Sequence, residues 1–161
     1  FYLVARTPAP LAGMPYPGPN TPWTALYKLG LRHIVSLHSD PKRPYNPAPL
    51  AILSAVQLED LYNGAFPSNL QWEEDLIGVV MKVANEALQA EEGVLVHCAG
   101  GIGRTGTLIG CLLSSLGCPP ETAIDYLDRL NRTRGHQGWP ESPWQAEMVR
   151  WFDPAEIAEV R

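Results

Sequence analysis

The chain has 161 residues, 45% of them hydrophobic and 18% charged, with a formal net charge of −5. That suffices for one domain with a sizeable core, differs from the composition of a disordered chain, and argues against a broad nucleic-acid or anionic-membrane surface. No apolar run approaches the roughly 20 residues of a membrane span, and Cys98, Cys111 and Cys118, odd in number and irregularly spaced, fit free thiols in a reducing compartment better than a disulfide framework.

Residues 1–20 read as an extended, proline-rich lead-in, punctuated by Pro8, Pro10, Pro15, Pro17 and Pro19. Thr21-Pro22 has the form of an N-cap and first helical residue, and "WTALYKLG" follows as a short helix closed by Gly30. "RHIVSL" (32–37) alternates and is β-branched, which predicts a strand. A proline-rich loop spans 38–49, a second strand 53–58 and another loop 59–69. From Leu70 a long helix is expected, with Leu76, Val80, Val83, Ala84 and Ala87 on one face and Ser68-x-x-Gln71 as its capping box. "VLVH" (94–97) is a continuous apolar run, as in a buried central strand. Helices follow over 105–117, 119–132 and 143–152, with a loop at 133–142 and a C-terminal tail at 153–161. Helices and strands alternate in the first half and helices fill the second, which predicts an α/β sheet flanked by helices in one domain.

The chemistry concentrates in "VLVHCAGGIGRTGT" (94–107), a strand, a glycine turn and a helix start. A helix N-terminus offers unpaired N–H groups and the positive end of a dipole. Glycines let several amides converge on one anion. Arg104 adds a planar fork for two oxygens of that anion. Together they suit a compact tetrahedral oxyanion. Gly101, Gly103 and Gly106 match the dinucleotide-binding spacing, but no strand follows with an acid; Asp125 stands at that offset inside a helical pattern. A Walker A loop needs lysine before its hydroxyl residue, and Arg104 stands there instead. Cys98 accounts for more of the pattern. It opens the nest, where the amides that bind an anion also favour a thiolate. That thiolate would attack the phosphorus of a bound ester and form a phosphocysteine. Arg104 and the amides of Ala99, Gly100, Gly101, Ile102 and Gly103 would stabilise the charge on the equatorial oxygens. Thr105 would donate its hydroxyl to the departing sulfur, and His97 would orient the loop from behind.

"HCAGGIGRTG" (97–106) resembles the signature of cysteine-dependent protein tyrosine phosphatases, His-Cys-x-x-Gly-x-x-Arg-[Ser/Thr]-Gly, with every fixed position present. The wider chain, through "LYKLGLRHIVSL" (26–37), "VQLED" (56–60) and "VLVHC", is similar to the small atypical dual-specificity branch over about residues 20–152. The resemblance implies a three-layer fold with a mixed, mainly parallel sheet and helices on both faces. It also implies a metal-free and cofactor-free phosphomonoesterase acting on a phosphorylated protein or a small phosphate monoester.

The reaction further needs a carboxyl group to protonate the leaving oxygen. Asp60, thirty-eight residues before Cys98, follows the "AVQL" strand and is the expected acid; Asp40 and Glu59 are the alternatives. Trp139-Pro140-Glu141 resembles the acid loop of larger tyrosine phosphatases but lies after the cysteine, and is read as loop structure. Gln145 is expected either near the attacking water, as in related phosphatases, or exposed to solvent, the second being favoured. The nest carries no lysine, which disfavours polyphosphorylated inositols. Lys42, Arg43, Arg132, Arg134 and His136 read mostly as solvated loop charges. The chain is expected to be cytoplasmic and monomeric. Two other functions remain open at this stage: a phosphate-binding pseudophosphatase, and a sulfurtransferase carrying a persulfide on Cys98.

Overall fold

The computed structural model describes residues 1–153. Five strands form one mixed sheet in the order β1 (Tyr2–Ala5), β2 (Leu11–Met14), β5 (Gly93–His97), β3 (Leu31–Ser36), β4 (Ala51–Ala55). Only the β1–β2 pair is antiparallel; β2–β5, β5–β3 and β3–β4 are parallel. The predicted mainly parallel mixed sheet flanked by helices is therefore the fold observed.

β5 is the central strand, and its side chains alternate as a strand buried on both faces requires. Val94 and Val96 join the larger core with helices α2 (Leu70–Gln89), α3 (Gly103–Ser115), α4 (Pro120–Thr133) and α5 (Pro143–Trp151). Leu95 joins a smaller core on the opposite face, with Leu31, Ile34, Leu50 and Leu26 of α1 (Trp23–Lys28). Helix α3 sits at the centre of the larger layer. Every residue from Gly103 to Leu112 is buried, and Gly110 lies so close to α4 and α5 that a Cβ there would come 2.5 Å from Val149 and 3.2 Å from Leu127.

The N-terminal lead-in is a correction. It contains β1 and β2, and β2 is an interior strand, fully buried along its length. Its prolines, Pro10 and Pro15, lie just outside the strand, so neither removes a ladder hydrogen bond. The parallel pairing with β5 then supplies what the weak local propensity of "LAGM" does not. β4 occupies 51–55 rather than 53–58, although Val56 N and Leu58 N still donate to Ser36 O and Leu37 O, so the extended path continues toward the following loop.

The helices also shift at their ends. The cap residue of α1 is Pro22, and Thr21 makes its hydrogen bond to Gly18 O. Asn69, not Ser68, caps α2 by accepting from Trp72 N. Ser68 is used elsewhere, donating its N–H and hydroxyl to Glu59. The buried stripe of α2 runs through Glu73, Ile77, Val80, Met81, Ala84, Ala87 and Leu88; Val80, Ala84 and Ala87 lie on it as predicted, while Leu76 and Val83 sit at its edge and Ile77 and Met81 take the centre. α3 begins at Gly103, two residues before the expected start. Of the predicted C-terminal tail, 154–161 lies outside the described residues.

Gly93 sets the register at the start of β5. A Cβ there would lie 2.4 Å from Gly30 O and 2.9 Å from Leu31 Cα, both backbone atoms that cannot swing away. Gly93→Ala is expected to cost about 2–3 kcal/mol, the scale of a severe core substitution, and to lower the melting temperature by roughly 5–10 °C for a domain of this size. An unchanged melting curve by circular dichroism would contradict this packing.

Candidate active site

β5 ends in His97, and Cys98 follows at the mouth of the loop that leads into α3. The cysteine is 2% exposed, and its sulfur accepts the Gly101 N–H at 3.2 Å. Gly101 takes φ +72°, and a Cβ there would strike the Met14–Pro15 backbone at 2.6 Å, so glycine is required at this bend. Ile102 precedes α3 without supplying a side-chain cap. The first helical amide, Gly103 N–H, is instead taken by the Glu141 carboxylate, and the helix dipole favours negative charge at this end.

Arg104, 7% exposed, lies at the side of this turn. Its Nη1 donates to Leu58 O at 3.1 Å, and its Nη2 lies 3.9 Å from Asp60 Oδ2. The Leu58 carbonyl fixes the guanidinium, while Asp60 remains half-exposed at the mouth. An open cleft of about 450 Å³ lies over the turn, lined by His38, Gln57, Asp60, Glu73, Ala99 and Arg104 among others. Arg104 and Asp60, chosen from sequence, therefore meet beside the turn that Cys98 opens. The two alternative acids do not compete: Asp40 accepts from Lys42 N and Arg43 Nε, and Glu59 is occupied by Ser68.

The loop is held from three sides. Behind it, the His97 ring is fully buried, with Tyr45 OH 2.7 Å from Nε2 and the Cys98 carbonyl 3.3 Å from Nδ1. Tyr16 and Tyr45 pack edge-on against the imidazole. Beneath it, Tyr2 OH donates to Gly101 O at 2.6 Å, with the Arg134 guanidinium 3.8 Å from the tyrosine ring centroid. Tyr2 reaches that far because it crosses Gly13, where a Cβ would lie 2.5 Å from its ring. At the helix side, Trp139 Nε1 donates to Gly103 O at 3.2 Å, and its ring covers Gly106 so closely that a Cβ there would sit 2.4 Å away.

Two expectations change here. Gln145 is 1% exposed, not solvated. Its Oε1 accepts Glu141 N at 2.8 Å and Ser142 N at 3.2 Å, so its carbonyl is spent on fixing the loop before α5. Trp139-Pro140-Glu141 is also more than a connector. Trp139 packs on the turn, and Glu141 Oε1 would lie 2.8 Å from a Cβ at Gly103. Thr105 Oγ1 is buried and makes no hydrogen bond, so it does not engage the Cys98 sulfur in this state. Among the loop cations, Arg43 pairs with Asp40, Arg132 with Asp128, and Arg134 with Asn131.

Sequence reasoning missed two carboxylates. Glu73 is 5% exposed, accepts Glu59 N at 3.3 Å, and is pushed above the ordinary carboxyl range by burial. Its signal was available, since it precedes Ile77 by one helical turn on the buried stripe. Glu141 is likewise raised, first by burial and then by the charge of Asp60. Its signal was the motif itself, set aside because of its place in the chain.

Comparison with known proteins identifies the family and the fold. Residues 4–139 match the family described as "Swiss Army Knife protein, DSP-PTPase phosphatase domain". The chain belongs to that family, and this is a phosphatase domain of the dual-specificity type. It is also similar to 067L of Invertebrate iridescent virus 3, whose name assigns it to the tyrosine phosphatases. That match is 28% identical over 82 residues, covering 46% of this chain but only 34% of the viral protein. Among solved structures, the chain resembles Tk-PTP in its active form, with TM-score 0.60 and 22% identity over 93% of this chain and 90% of that one. It also resembles the catalytic domain of the PP-IP phosphatase SIW14 from S. cerevisiae, with TM-score 0.60 and 18% identity over 93% and 85%. A third is PTPMT1 in complex with PI(5)P, with TM-score 0.63 and 17% identity over 91% and 90%. At these identities the structural likeness establishes the shared fold.

Burial pushes the His97 imidazole down to about 4. In the unfolded chain it would protonate near its ordinary value of about 6.5. Between those values the unfolded state binds a proton that the folded state refuses, so stability falls as pH falls from 6.5 toward 4. The loss from this group is on the order of 3 kcal/mol. Urea unfolding at pH 7 and pH 4 should show a smaller acid-side loss for His97→Asn than for the unaltered chain. Equal losses would contradict a buried neutral imidazole.

Proposed function

We infer that the chain hydrolyses phosphate monoesters through a phosphocysteine on Cys98. The observation that carries this reading is the convergence of Cys98 at the nest, Arg104 fixed by Leu58 O, and Asp60 Oδ2 3.9 Å from that arginine at the mouth. The ester's phosphoryl oxygens would take amides of the turn from Ala99 to Arg104, Gly103 N–H being held by Glu141, together with the guanidinium, and the thiolate would attack in line. Asp60 would protonate the leaving oxygen. The unpartnered Thr105 hydroxyl supports its role as donor to the sulfur that leaves in the second step, because a buried hydroxyl with no partner is free to donate there, and that bond would recover part of its desolvation cost of about 1–3 kcal/mol.

Phosphorylated protein side chains are the substrate class this site favours. Arg104 is the one cation lining the cleft, facing Glu59, Asp60 and Glu73. Arg43, Arg132 and Arg134 are already committed elsewhere. The three carboxylates in that lining would repel a second phosphate. The sulfurtransferase reading gives Asp60 no task. A thiol nucleophile with no disulfide partner suits a reducing compartment such as the cytoplasm.

The test is hydrolysis of a small aryl phosphate across pH. Cys98→Ser should abolish turnover. Asp60→Asn should lower kcat by about 10² to 10⁴ and flatten the basic limb of the profile. Full activity in Cys98→Ser would sink the reading. Phosphate binding without turnover in the unaltered chain would instead favour a phosphate-reading module.

A further inference from the structure

The loop carrying Glu141 is fastened at every backbone point that matters. Trp139 N donates to Asp128 at 3.0 Å, Glu141 N donates to Gln145, and Glu141 O accepts Gly64 N at 3.1 Å. The last bond ties it to the segment that carries Asp60. The side chain, by contrast, is directed at the nest. Its Oε1 stands where a Cβ of Gly103 would meet it, and the Gly103 N–H is a partner of the carboxylate. The charged and titratable groups facing it are Asp60, Arg104 and His136. So two carboxylates, from loops on opposite sides of Cys98 in sequence, lie near enough to act on each other's charge, and Arg104 acts on Glu141 while standing 3.9 Å from Asp60.

We propose that Glu141 is a second catalytic carboxylate, which orients the water that hydrolyses the phosphocysteine and accepts its proton. The inference rests on Cys98 being the nucleophile. In this step the water oxygen bonds to phosphorus and the phosphorus–sulfur bond breaks. The electron pair of that bond returns to Cys98 as thiolate, the water proton passes to Glu141, and inorganic phosphate leaves. Asp60 keeps the first step, protonating the ester oxygen. Gln145 cannot take the water-binding task with its carbonyl, because that atom holds the amides of Glu141 and Ser142. It serves as the positioning residue that sets the Glu141 carboxylate. Burial and the neighbouring Asp60 raise the proton affinity of Glu141, which suits a group that must accept a proton from water near neutral pH.

The experiment is rapid-mixing hydrolysis of p-nitrophenyl phosphate with acid quench and intact-mass analysis, on the unaltered chain, Glu141→Gln, Glu141→Ala and Asp60→Asn. Glutamine keeps an acceptor for Gly103 N–H, so the fold and vanadate binding should persist. Glu141→Gln and Glu141→Ala should release a burst of about one nitrophenolate per chain, then turn over about 10²-fold more slowly. The phosphorylated chain should accumulate during that slow phase. Asp60→Asn should slow the burst itself. A lower kcat in Glu141→Gln without a burst or trapped phosphoenzyme would place the loss before the intermediate and overturn the proposal, as would unchanged turnover. If no phosphocysteine forms in any variant and Cys98→Ser stays active, the nucleophile assignment fails first, and this proposal with it.

Discussion

The site depends on a helix that begins inside the protein with no cap from its own preceding residue. α3 starts at Gly103, buried under three other helices, and Ile102 offers no side chain to its first amides. A buried donor left unpaired would cost about 1–3 kcal/mol, and the Glu141 carboxylate takes the Gly103 N–H from the loop before α5. The surrounding structure keeps the turn open. β5 delivers Cys98 from the centre of the sheet, Tyr2 holds Gly101 from beneath, and Trp139 holds Gly103 from the side. Each anchor comes from a different part of the chain, so the nest exists only in the complete fold.

The second constraint is charge. Arg104 enters a cleft whose other ionisable walls are mainly acidic, and its firm contact is a neutral carbonyl, Leu58 O. The guanidinium is therefore not consumed by a tight ion pair, and Asp60 at 3.9 Å is close enough to feel it. Burial drives Glu73 and Glu141 in the opposite direction from a salt-bridged acid, toward holding protons longer. A fixed cation thus stands beside two carboxyl groups that both hold their protons longer than usual.

The nest was legible in sequence because its chemistry is local. Cys98, the glycines and Arg104 lie within one turn, and the conformational demand on Gly101 can be read from its type and place. The parallel sheet was legible too, since "VLVH" is apolar without alternation and β5 is indeed buried on both faces. What escaped was set by tertiary contacts. β2 has four residues of modest strand preference between prolines, and only its pairing with β5 makes it a strand. Ser68 lost the capping role to Asn69 because Glu59 took its hydrogen bonds. Gln145 was misjudged because a glutamine's burial depends on what packs over it, here the turn at Gly103. The Trp-Pro-Glu loop was discounted on chain order, yet Gly106 and Gly103 lack side chains at the places where Trp139 and Glu141 dock. Spatial convergence, not sequence order, decides what a site contains.

The most direct test of the central claim is a crystal structure with orthovanadate, which adopts the geometry of phosphoryl transfer. The account predicts vanadium bonded to Cys98 Sγ, with equatorial oxygens on amides of the turn other than Gly103 and on the Arg104 guanidinium, and with an apical oxygen facing Asp60. Vanadate bound elsewhere, or a nest that leaves it unbonded to the sulfur, would contradict the assignment of Cys98 as the nucleophile.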